Sequence, residues 1–105
     1  MEKKMTNSIK YTKLESIIVS GFTERLGRKK EAHITINDII DLTWPQVKDR
    51  YSDREKYRHI LVTYIRHVQM KSAYLETMQI VRTNKRGIEK AIYRVTPLKN
   101  YSSLN

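Results

Sequence analysis

Few side chains in these 105 residues could carry out acid–base, metal or nucleophilic chemistry. With no cysteine in the chain, His33, His59 and His67 are the only soft metal ligands. On one helix, His59 and His67 would stand two turns or about 12 Å apart, too far to share an ion. There is no His-Glu-x-x-His pair, no phosphate-binding loop and no Gly-x-Ser-x-Gly turn. Only three glycines are present, too few for a cradle of the usual kind. Asp38 and Asp41 are one turn apart and could hold Mg²⁺. Acids at a helix start are, however, already accounted for by the helix dipole. The expectation is a chain that is not an enzyme and has no catalytic residue, metal or cofactor.

A different chemistry is well supplied. Lys and Arg number 21 against 11 Asp and Glu, a formal charge of +10. An excess of this size points to a polyanionic partner, nucleic acid first. The charge is uneven. Residues 1–52 hold 10 basic and 7 acidic residues, residues 53–105 hold 11 and 4, and beyond Lys56 only Glu76 and Glu89 are acidic. Arg54, Lys56, Arg58, His59 and Thr63 could read base edges in a major groove. Lys48, Arg50, Tyr51, Ser52 and Arg66, with Lys85, Arg86 and Lys90 further on, suit phosphates.

Positioning these residues requires helices. Thr12 and Glu15 have the spacing of a capping box, and Leu14, Ile17, Ile18, Phe22 and Leu26 follow at helical intervals up to Gly27. This predicts a helix over about 12–27. Its apolar arc, with Val19, is wide enough to suggest a dimer seam at Ile17, Val19 and Phe22. Residues 33–35 read as a short strand. Thr35 and Asp38 open a second helix, expected over 36–43 and ending before Trp44-Pro45. Ser52 and Glu55 predict a third helix start. Tyr57, Ile60, Leu61, Tyr64, Ile65 and Val68 line one side of that helix to about Lys71, and Lys56, His59, Thr63, Arg66 and Met70 line the other. Trp44 and the helix tyrosines match the core stripe better than a base-stacking platform. Alternation over 74–82 and 88–96, around a connection holding Asn84 and Gly87, predicts a hairpin closed off by Pro97.

The order helix, strand, short helix, longer basic helix and basic hairpin resembles a winged helix-turn-helix domain. The resemblance covers roughly 12–97 and rests on element order and charge placement. It implies an α+β, mainly helical fold, with a three-helix core and a C-terminal two-stranded β-hairpin. Residues 1–11 and 98–105 would be tails. It also implies that helix 53–71 enters a major groove while a wing carrying Arg82, Lys85, Arg86, Lys90 and Arg94 follows the backbone. One departure is the spacing: about nine residues separate the second and third helices, against 3–4 in a tight helix-turn-helix.

The leading expectation is a small homodimeric transcriptional regulator specific for double-stranded DNA. Small basic chains with no sensor domain often belong to mobile elements. The alternatives are a module that docks on a replication or transcription machine through an acidic protein partner, and an RNA or replication-origin binder. No apolar run approaches the roughly 20 residues of a membrane span. Met1–Lys10 lacks the apolar stretch of a secretory signal, so a cytoplasmic location is expected.

Overall fold

The computed structural model describes residues 9–84, 87 and 90–98. In chain order these residues form α1 (Lys13–Leu26), β1 (Ala32–Thr35), α2 (Ile36–Val47), α3 (Arg54–Leu75), β2 (Met78–Arg82) and β3 (Ile92–Pro97). Three helices pack with one three-stranded antiparallel sheet of order β1-β3-β2.

Local chemistry sets most of the boundaries. Thr12 and Glu15 close their capping box, and Gly27 ends α1 at a positive φ of 57°. Thr35 and Asp38 form a second box at the start of α2. In each, a side-chain oxygen and a backbone N–H exchange hydrogen bonds that the helix start would otherwise lack.

Four expectations are corrected. First, α2 does not stop before Trp44 but continues through Pro45 to Val47. Proline removes one helical hydrogen bond, but the added turn brings Val47 to full burial, and Lys48 N–H still reaches the Trp44 carbonyl at 2.9 Å. The connection to α3 thereby shortens to residues 48–53. Second, the cap of α3 is Asp53 rather than Ser52: Asp53 Oδ1 accepts the Lys56 N–H at 2.9 Å. Glu55 is drawn instead to Arg58, so no Ser52–Glu55 box forms. Third, α3 runs on to Leu75, and β2 starts only at Met78. The last turn is held because Ser72 is buried and bonded to Tyr11 (2.7 Å). Fourth, the sheet is not two-stranded. His33 lies opposite Arg94 and Ile34 opposite Tyr93, which makes β1 the third strand, and Pro97 lies inside β3 opposite Met78.

The inner sheet face (Ile34, Ile80, Tyr93, Val95) meets Ile18 and Phe22 of α1, Ile36, Ile39 and Ile40 of α2, and Leu61, Ile65 and Val68 of α3. The rings of Phe22 and Tyr93 meet edge to face at 6.1 Å. Phe22 is fully buried in the monomer, which removes it from any dimer seam; Ile17 and Val19 pack against the same core from its rim. α1 and α2 approach closely at Gly21, where a Cβ would lie 3.3 Å from Thr43 Cγ2.

Two polar arrangements lock α3 in place. Thr43 Oγ1 donates to the Ile39 carbonyl at 2.7 Å, so the hydrogen it shares with the buried Tyr57 hydroxyl is supplied by Tyr57. The Glu15 carboxylate, 3% exposed, accepts Lys71 Nζ at 2.7 Å and the Thr12 N–H at 2.9 Å, with His67 Nδ1 at 3.7 Å. Lys71 Nζ also donates to the Lys10 carbonyl at 3.0 Å, so residues 10 and 11, expected in a tail, are tied to α3.

Candidate nucleic-acid interface

The outward side of α3 is a row of exposed residues one turn apart. Lys56, His59, Thr63 and Arg66 are all exposed, and at 1.5 Å per residue they span about 15 Å. Neither Lys56 nor Arg66 takes part in an ion pair among the described residues. His59 Nε2 is 4.0 Å from Glu55 Oε2, an exposed and loose contact.

Arg54 and Arg58 do not belong to this row. They turn toward α2. Arg54 Nη1 donates to Asp41 Oδ1 at 2.8 Å, and its guanidinium lies 5.8 Å from the centre of the Trp44 ring. Arg58 donates to Glu55 Oε1 at 2.7 Å and to Asn37 Oδ1 at 2.9 Å, and its side chain is only 20% exposed. Both guanidinium groups therefore brace the head of α3. Asp41 and Asn37, 13 and 21 residues away, had no sequence signal linking them to these arginines. The three-residue spacing of Glu55 and Arg58 was visible.

The 48–53 connection lies at the same end. Lys48, Arg50 and Ser52 are exposed. Tyr51 is half-buried with its ring 5.2 Å from that of Tyr57, so it anchors the connection to the core. Burial raises the Tyr51 hydroxyl above its usual pKa, the nearby Tyr64 raises it further, and Arg50 partly offsets both.

On the sheet side, Lys90 is exposed beside Asn84, whose amide bridges to the Lys90 carbonyl (2.7 Å) and the Ile92 N–H (3.1 Å). Arg82 Nη2 donates to the Gly87 carbonyl at 3.3 Å. Arg94 lies on the outer sheet face opposite His33 and Val81. Lys85 and Arg86 fall outside the described residues.

No other part of the described chain gathers comparable chemistry. An open hollow of about 500 Å³ at the end of α1 is lined by Glu24, Arg25, Lys29, Glu31 and His33, which carry both signs of charge, and no residue of α3 lines it. His33 pairs there with Glu31 at 2.8 Å. Asp38 is used by its capping box and by Arg25 at 3.4 Å, and Asp41 by Arg54. Among the described residues, no three His, Cys, Asp or Glu side chains are grouped to hold a metal ion, and no helix is long and apolar enough to cross a membrane.

Comparison with protein-family models, curated proteins and solved structures finds no match to this chain. The functional reading rests on its own residues.

Proposed function

We propose that the chain is a winged-helix protein that binds double-stranded DNA, with the outward row of α3 in the major groove. The observation that carries this reading is the exposed, unpaired run of Lys56, Thr63 and Arg66, with His59 between, on a helix whose opposite side buries Tyr57, Leu61, Ile65 and Val68 in the core. A helix fits the major groove, and Lys, Arg, His and Thr donate to or accept from base edges there.

Three further features support it. A six-residue connection holding exposed Lys48, Arg50 and Ser52 precedes α3, where a flanking phosphate would lie. The chain order α1-β1-α2-α3-β2-β3 is compatible with a winged helix, with the β2–β3 connection as the wing and Lys90 on it. The chain's charge of +10 gives long-range attraction to a polyanion. On this reading Lys56, His59 and Thr63 contact bases. Arg54 and Arg58 brace the helix, and Lys48, Arg50, Arg66 and Lys90 neutralise phosphates. A small transcriptional regulator is the biological role that best suits such a chain.

The test is a fluorescence-anisotropy titration of the full chain with random-sequence duplex across a salt series. Four to six phosphate contacts would make log affinity fall against log salt with a slope of about −4 to −5. Selection from a duplex library then defines the site. Absence of binding at about 50 mM salt, where backbone contacts are strongest, rejects the reading.

A further inference from the structure

One surface feature continues the outward row of α3 past Arg66. Among the described residues, the large apolar side chains left exposed are Met70 (69%), Tyr74 (60%) and Leu75 (36%). All three sit at the C-terminal end of α3, with exposed Ala73 between them. Met70 and Tyr74 are one turn apart and form one patch. Met70 lies one turn past Arg66, about 6 Å along the helix, where the polar row gives way to apolar side chains.

Glu76, next to the patch, is the one described residue other than glycine with a positive φ (58°). It ends α3 with its N–H on the Ala73 and Ser72 carbonyls, a position that glycine occupies most readily. Its exposed carboxylate has no ion-pair partner among the described residues. A side chain kept where it strains the backbone invites a functional explanation.

The geometry points to a second copy of this chain as the occupant, docked through an antiparallel crossing of the two α3 helices about the Met70–Tyr74 turn. The patch is chemically self-complementary under a two-fold axis. Met70 of each copy meets Tyr74 of the other, a favourable sulfur–aromatic contact. Glu76, just past Tyr74, comes opposite Arg66 of the second copy, one turn before Met70. The cation and anion that lack partners in the monomer thus find them twice per interface. An acidic partner would answer Arg66 but leave Glu76 facing like charge, so a second copy fits better.

The contact is small beside the roughly 800 Å² per partner of a stable interface, and each copy carries +10. The dimer is therefore weak and forms at high protein concentration in screening salt. Arg66 serves either the second copy or a phosphate, so dimer and DNA complex compete for it, and sedimentation without DNA tests the dimer apart from the proposed function.

The experiment is sedimentation of the full chain up to about 1 mM in roughly 0.3 M salt, where screening extends only about 5 Å. The expected result is a concentration-dependent shift from one chain toward two. Tyr74→Glu abolishes the shift. Glu76→Gly separates interface from fold: it relieves the positive φ and raises the melting temperature, yet weakens association about two- to tenfold through the loss of two exposed ion pairs. Arg66→Glu alone weakens it as well, and Arg66→Glu with Glu76→Arg restores it. A wild-type chain monomeric at 1 mM, or association unchanged by Tyr74→Glu or by Glu76→Gly, overturns the proposal.

Discussion

Arg54, the first residue of α3, reaches back to α2 and places its Nη1 2.8 Å from Asp41 Oδ1, with the guanidinium 5.8 Å from the Trp44 ring centre. The pair ties the head of the basic helix to the helix before it and takes one guanidinium out of the outward row.

Trp44 is the only tryptophan, so this junction can be followed directly. Arg54→Ala should change the intensity or wavelength of its emission. Because both partners are half exposed or more, stability should fall by no more than about 0.5 kcal/mol. On the proposed DNA reading, Arg54→Ala leaves base preference intact, whereas His59→Ala or Lys56→Ala relaxes it. Parallel duplex selections with the three variants check this.

Tyr57 and Thr43 form a buried relay with the Ile39 carbonyl. Burial raises the Tyr57 hydroxyl above its usual pKa, although its bond to Thr43 partly opposes this. Tyr57→Phe should cost about 1 kcal/mol in urea denaturation, since Thr43 loses a donor but keeps its own acceptor. Adding Thr43→Val should cost less than the two single changes summed, because both act on one network.

Glu15 governs the acid limb of stability. Burial pushes its carboxyl up, but the Lys71 hydrogen bond and charge, with the Thr12 contacts, outweigh burial and hold it below the ordinary 4.5. A carboxyl depressed in the folded state contributes stability above its unfolded pKa and loses it as pH falls through the folded value. Melting temperature should therefore drop on acidification below about pH 4.5. Lys71→Met should cost about 2 kcal/mol at pH 7 and flatten or reverse this acid limb, because the nearly buried carboxylate is left without its cation.

The alkaline limb has the opposite cause. Tyr57 and Tyr93 are both raised, chiefly by burial, with Arg82 and Arg66 partly offsetting it at Tyr93. Their neutral forms stabilise the fold fully below about pH 10, and that contribution is lost as pH rises through the raised values. Melting followed together with the tyrosinate absorbance should show the share of the ionisation that belongs to Tyr57 and Tyr93 appearing together with unfolding.

Phe22 distinguishes core from seam. Completely buried against Tyr93, it should cost about 3–5 kcal/mol on change to Ala. Oligomeric state should not respond to it in the range where the protein stays folded. A conservative Phe22→Leu, costing less, allows sedimentation to be measured on folded protein.

Much of the architecture was written locally. The boxes at Thr12 and Thr35, the stop at Gly27 and the stripe from Tyr57 to Val68 are signals carried by residues three to seven apart, and all four appear as expected. Where two local signals competed, tertiary contacts decided. Proline argued against helix at Trp44, but burial of Val47 outweighed it. Ser52 and Asp53 could each cap α3, and Asp53 took the position once Glu55 was engaged by Arg58. The final turn of α3 depends on Ser72 meeting Tyr11, 61 residues away.

The amino-acid sequence by itself determined the periodicity of the helices, the caps of α1 and α2 and the basic outward row of α3, because these follow from side chains on neighbouring turns. Only the tertiary structure decided that β1 joins β3, that α1 spends Phe22 on its own core, and that Arg54 and Arg58 face α2. The physical reason is that a guanidinium turns toward whichever acceptor packing brings near. The acceptors at Asp41 and Asn37 are brought near by the crossing of α2 and α3, not by their spacing along the chain.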